Sequence, residues 1–67
     1  PTLSLNGKTI DIPPEMAKLP SVLLMQGYQD KRIAVAINGK FVPRSKYDET
    51  PIHEGDEVDV IQAVGGG

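Results

Sequence analysis

The sequence predicts an α+β fold, a mixed β-sheet of about five strands with one main helix laid across one face. Three observations point there. Asn-Gly pairs at Asn6-Gly7 and at Asn38-Gly39 each lie between short runs of strand-forming residues, the strongest local signal for a tight hairpin. One segment, roughly Pro20 to Gln29, groups apolar residues at helical spacing behind a proline suited to a first helical turn. A last alternating run, Glu57 to Val64, supplies one more strand.

In chain order, Leu3 and Leu5 alternate with Thr2 and Ser4, and Ile10 and Ile12 alternate with Thr9 and Asp11, which makes the first twelve residues a hairpin. Pro13-Pro14 stops its second strand, because proline donates nothing to a ladder. In the helix, Leu23, Leu24 and Gly27 are expected on one side with Tyr28 close by, and Val22 and Met25 widen the apolar surface. Gly27 costs a helix interior about 1 kcal/mol relative to alanine, so it belongs near the end of the helix or at a close approach. Ile33 to Ile37 is apolar on both faces, as in a central strand covered at least partly on each side. Asn38-Gly39 turns that strand into Lys40-Phe41-Val42, which Pro43 ends. Residues 44 to 56 read as irregular and polar, closing in a turn at Glu54-Gly55-Asp56. In the last strand Val58 and Val60 face the core, and Asp59, Ile61 and Ala63 face away. This order of hairpin, helix, second hairpin and final strand is that of the β-grasp, or ubiquitin-like, architecture. The chain divides into a β-grasp domain over residues 1–64 and a flexible glycine tail over residues 65–67.

A chain of 67 residues buries only about 60% of its unfolded surface, so its core is thin. It has no cysteine, and therefore neither disulfide nor thiolate metal site. No apolar stretch approaches the roughly 18 residues needed to span a bilayer, and no leader is evident; a cytoplasmic location is expected. Seven basic against nine acidic residues give a net charge of −2, the wrong sign for a nucleic-acid binder. Tyr28, Phe41 and Tyr47 are too scattered to form a base-stacking platform.

The informative feature is the end, Gly65-Gly66-Gly67. One explanation is simply a loose terminus. The functional one is that glycine, lacking Cβ, threads a narrow tunnel and adopts backbone angles closed to other residues. From Ala63 to Gly67 the chain reaches about 16 Å when extended, which carries the Gly67 carboxylate away from the body. A carboxylate is a poor electrophile and requires activation, for example by transfer of AMP from ATP. The chain has no glycine-rich phosphate loop for this purpose, so an outside enzyme must supply it.

The runs Ile33-Ala34-Val35-Ala36-Ile37-Asn38-Gly39, Phe41-Val42-Pro43-Arg44 and His53-Glu54-Gly55-Asp56-Glu57-Val58, with the ending Ala63-Val64-Gly65-Gly66-Gly67, resemble the sulfur carrier proteins of thiamine biosynthesis, the ThiS family. The resemblance covers Ile33 to Gly67; the N-terminal half fits in length and element order. It implies that Gly67 is adenylated by an activating enzyme of the ubiquitin-E1 type (ThiF-like) and converted to a thiocarboxylate. The sulfur then passes to thiazole synthase (ThiG-like). Gly66 would complete the diglycine and Gly65 add slack. The carrier itself would be no enzyme and bind no cofactor, ATP being used by its partner, and would be a monomer when free. Val22 and Met25 depart from the more polar residues expected at their positions. Two other destinations fit a glycine tail: the small subunit of molybdopterin synthase, and a ubiquitin-like modifier joined to target lysines.

His53, the sole histidine, has no nucleophile or acid motif beside it and reads as a turn residue. Arg44 and Lys46 suit either an acidic partner or an ordinary solvated face. Asp48-Glu49 and Glu54, Asp56 and Glu57 lack the spacing of a calcium loop and read as a solvated acidic surface. Ile61 and Ala63 are the candidate partner-binding residues if their face of the sheet is uncovered. The alternative is that the loop of residues 44 to 52 packs over them.

Overall fold

In the computed structural model, which describes residues 1–28 and 32–63, both Asn-Gly pairs turn as their backbone freedom allows. Asn6 and Gly7 have φ of 51° and 83°, and Asn38 and Gly39 have φ of 52° and 80°. Positive φ at both central positions is the type I′ geometry, whose twist matches that of paired strands. The first turn joins β1 (Thr2–Leu5) to β2 (Lys8–Asp11). The second joins β3 (Ile33–Ile37) to β4 (Lys40–Val42). With β5 (Glu57–Gln62) they form one five-stranded sheet in the order β2-β1-β5-β3-β4. β1 runs parallel to β5 and every other pairing is antiparallel, so the sheet is mixed as expected.

The central strand is β5. The apolar run Ile33–Ile37, expected in the middle, stands between β5 and the edge strand β4. Its two faces differ: Val35 is buried, whereas Ala34 is exposed and Ala36 half-buried. Alanine is small enough to be tolerated on an open face, and that is why the run looks apolar on both sides.

The helix α1 is Leu19–Met25, shorter than the Pro20 to Gln29 expected. Its end is set by Gly27, at φ +82°. The Tyr28 N–H donates to the Leu23 carbonyl at 2.8 Å and the Gly27 N–H donates to the Leu24 carbonyl at 3.2 Å. These are the two bonds of a Schellman cap, in which a left-handed residue satisfies the last carbonyls. Tyr28 then packs against the core. Gln29 lies outside the described residues. The core stripe of α1 is Leu19, Val22 and Leu23, while Leu24 and Met25 are exposed, contrary to expectation. Starting one residue earlier brings Leu19 inward, and Leu19 pairs with Val22 and Leu23 at i, i+3 and i+4.

Residues 44 to 56 are more ordered than their polarity suggests. Arg44–Glu49 forms a 3₁₀ helix behind Pro43, and a shorter one spans Pro14–Met16. The Leu19 N–H donates to the Thr50 carbonyl and the Ile52 N–H to the Ala17 carbonyl, both at 2.9 Å, which ties this segment to the start of α1. Ile52 is buried as a result. The core lies between α1 and one face of the sheet: Leu3, Leu5, Ile12, Leu19, Val22, Leu23, Val35, Ile52, Val58 and Val60. Each such side chain contributes about 1.5–3 kcal/mol on burial. The last strand is described as far as Gln62, with its ladder continued where the Ala63 N–H donates to the Arg32 carbonyl at 2.9 Å. Val64 and the tail, Gly65, Gly66 and Gly67, lie outside the described residues. No helix among the described residues is long and apolar enough to cross a membrane.

Candidate docking face and the strand that leads to the tail

With α1 on one face, alternation along β5 sends Glu57, Asp59, Ile61 and Ala63 to the other, and all four are exposed. Register decides their neighbours. Ile61 stands opposite Ala34, while Asp59 stands opposite Ala36, which is itself opposite Phe41. The two alanines are low, so Ile61 and Phe41 project, at 71% and 69% exposure. Nearer β2 the same face is polar, with Ser4 paired to Glu57 and to Thr9, and Thr2 paired to Asp11. The open face is therefore divided. Its apolar half is built on β3, β4 and the end of β5, directly before the tail, with Asp59 at the border.

The loop of residues 44 to 52 does not cover this patch. It packs on the helix side, where Tyr47 and Ile52 join the core. Ile61 and Ala63 are thus free of it. Sequence pattern alone does not mark Phe41, Ala34 and Ala36 as parts of this face, although the two-residue turn at Asn38-Gly39 fixes the register that puts them there.

β5 is held by two asparagines in related ways. The Asn6 N–H donates to the Val58 carbonyl at 2.9 Å, and its Oδ1 accepts from the Val60 N–H at 2.7 Å. The Asn38 N–H donates to the Glu57 carbonyl at 2.8 Å, and its Oδ1 accepts from the Glu57 N–H at 3.0 Å. At both positions the backbone enters the turn with positive φ, and the side-chain oxygen accepts the N–H that the next ladder carbonyl would take. The two turns thereby extend the β5 ladder on either side.

The remaining amide nitrogens have different neighbours. Asn6 Nδ2 donates to the Tyr28 hydroxyl at 3.3 Å, whereas Asn38 Nδ2 donates to Asp56 Oδ1 at 3.0 Å. Asp56 Oδ2 accepts from the His53 N–H at 2.8 Å. With only 9% of its surface exposed, Asp56 is not part of a solvated acidic surface. Its carboxylate joins the His53–Asp56 turn, in which Gly55 has φ +83°, to the Asn38 turn. Burial of this charge is tolerated because both oxygens are hydrogen-bonded.

His53 is exposed, its Nδ1 3.8 Å from Asp56 Oδ2. Lys46 pairs with Glu49 at 3.1 Å on the exposed side of the 3₁₀ helix, and Arg44 is exposed at its start. An exposed pair one turn apart contributes only about 0–1 kcal/mol. Among the described residues no group of three or more His, Cys, Asp or Glu side chains is arranged to hold a metal ion.

Among the described residues, one α-helix laid against a five-stranded mixed sheet defines a β-grasp protein of the ubiquitin-like class. The chain belongs to the ThiS family, whose model matches residues 3–67. Among solved structures it is similar to the thiamine biosynthesis protein ThiS from Geobacter metallireducens, with a TM-score of 0.79 and 26% sequence identity. That match covers 98% of this chain and 99% of the other. No curated protein matched the chain in sequence.

Proposed function

We propose that this chain is a sulfur carrier of thiamine biosynthesis that works through its C-terminal carboxyl group and is not itself an enzyme. The observation that carries the proposal is the family match, which runs through the glycine end and not only over the folded body. The full-length likeness to a ThiS protein supports the same role.

The proposed chemistry begins with the Gly67 carboxylate attacking the α-phosphorus of ATP in the active site of an E1-like, ThiF-like enzyme. Pyrophosphate leaves and an acyl adenylate forms. Hydrosulfide from the sulfur source then attacks the acyl carbon, the bond from that carbon to the AMP oxygen breaks, and AMP leaves, giving the thiocarboxylate and a proton. Thiazole synthase, the ThiG-like partner, accepts the sulfur. Gly65 and Gly66 let the end enter a narrow active site without side-chain obstruction. The body contributes recognition: Ile61 and Ala63, extended by Ala34, Ala36 and Phe41, form an apolar docking face beside the strand that leads to the tail. Buried apolar groups near the centre of an interface contribute most to its affinity.

The direct test is to incubate the chain with its native activating enzyme, ATP and a sulfur source, and to determine its intact mass. The expected result is a carboxyl-to-thiocarboxylate mass change located at Gly67. An isopeptide adduct on a protein lysine would instead indicate a modifier, and transfer of sulfur to a molybdopterin precursor in place of thiazole would indicate the other carrier role.

A further inference from the structure

We infer that Asn38 is a site of chemical ageing at which conversion to aspartate weakens the fold, whereas the same conversion at Asn6 is accommodated. Both residues precede glycine, whose missing Cβ leaves its backbone nitrogen free to approach the asparagine side chain. Both are also exposed to water. In the reaction the Gly39 nitrogen attacks Asn38 Cγ, and a new C–N bond forms. The bond from Cγ to Nδ2 breaks, and Nδ2 departs as ammonia with the proton from the Gly39 nitrogen. Water then opens the cyclic imide to aspartate or isoaspartate. No oxidant or reductant takes part. Because both side chains are held by β5, the reaction proceeds through transient opening of the turn. The isoaspartate product lengthens the main chain of a two-residue turn at either site; the two sites differ in their aspartate product.

The difference lies in what faces the lost amide nitrogen. At position 6 it faces the Tyr28 hydroxyl, 3.3 Å away. A hydroxyl both donates and accepts, so it rotates to donate to the new carboxylate. The other oxygen continues to accept from the Val60 N–H. At position 38 the amide faces Asp56 Oδ1 at 3.0 Å. Aspartate there sets one carboxylate against another that is nearly buried and already accepting from the His53 N–H. A donor–acceptor pair becomes a like-charge pair, and Asp56 loses a hydrogen bond without regaining water.

The test has a chemical and an energetic arm. The chain is incubated at mildly alkaline pH, and deamidated forms are separated by charge and located by peptide mapping, with aspartate distinguished from isoaspartate. Deamidation is expected at both Asn-Gly pairs, and the form carrying aspartate in place of Asn38 is expected to be enriched in the unfolded, protease-sensitive fraction. In urea unfolding, Asn38→Asp is expected to lower the folding equilibrium constant roughly tenfold to a hundredfold, and Asn6→Asp to change it by less than about threefold. The exchange Asn38→Asp with Asp56→Asn restores a donor facing an acceptor and keeps the acceptors for the Glu57 and His53 N–H groups. It is expected to recover most of the loss, even if Asn38→Asp alone does not fold. Equal losses at the two sites, no recovery in the exchanged variant, or no deamidation at Asn38 would overturn the inference.

Discussion

Ile61→Asp should separate docking from folding, and the expected size of its effect follows from the geometry. Ile61 is 71% exposed, opposite Ala34 on the face away from the core. Its replacement removes no core contact, so the change in folding free energy should stay within about 0.5 kcal/mol. Complete burial of an isoleucine side chain is worth about 1.5–3 kcal/mol, and most of that surface is still available to a partner, leaving about 1–2 kcal/mol for docking. Ile61→Ala should therefore weaken binding to the activating enzyme roughly fivefold to thirtyfold. Aspartate adds an unpaired carboxylate at the covered interface, a further cost of about 1–3 kcal/mol, and should lower affinity roughly thirtyfold or more. The assay is adenylation rate against carrier concentration. KM should rise with kcat little changed, because the reacting group at Gly67 is untouched. Urea unfolding of the same variant supplies the control. Arg44→Ala serves as the contrast: its smaller effect should fade as salt is raised, since an exposed charge is screened within about 10 Å at 0.1 M salt. Normal loading of Ile61→Asp, together with failure of Arg44→Ala at every salt concentration, would refute this account of the interface.

Deleting Gly66 and Gly67 should abolish thiocarboxylate formation while urea unfolding stays unchanged, since every residue of the described core precedes Ala63; mass spectrometry and the unfolding midpoint check the two halves of that statement. Val35→Asp should have the opposite profile, because Val35 is 1% exposed between α1 and the sheet. A charge there costs several kcal/mol, comparable to the whole stability of so small a domain, and circular dichroism should show an unfolded chain. Gly27→Ala should destabilise by about 1–2 kcal/mol. The space around Gly27 is open, so the whole cost comes from its φ of +82°; an unchanged midpoint would show that the helix ends in another way.

Much of this protein was legible in the sequence because its signals are local. An Asn-Gly pair has few conformations that place strands on both sides, so both hairpins and their registers follow from neighbouring residues alone. Alternation along β5 likewise separated Val58 and Val60 from Ile61 and Ala63 without reference to the rest of the chain. The family resemblance rested on short runs of the same kind, and the family model extends it to residues 3–67.

What only the tertiary structure decided depends on contacts between segments distant in the chain. Ile33–Ile37 looked central because it is apolar throughout, yet β5 takes the middle of the sheet by pairing with β1 on one side and β3 on the other. The helix begins at Leu19 and buries Leu19, Val22 and Leu23, because residues 50 to 52 hydrogen-bond to its start and a glycine cap ends it before Gln29. Ile52 stood alone in a polar stretch, and only that pairing draws it into the core. Asp56 looked like one of several surface acids, and its burial became visible once the turn at Asn38 was folded against it. Local pattern determines which residues can face inward; the partner each one meets is set by long-range pairing, and that pairing left Ile61 exposed on the strand that leads to the glycine end, with Phe41 exposed on the same face.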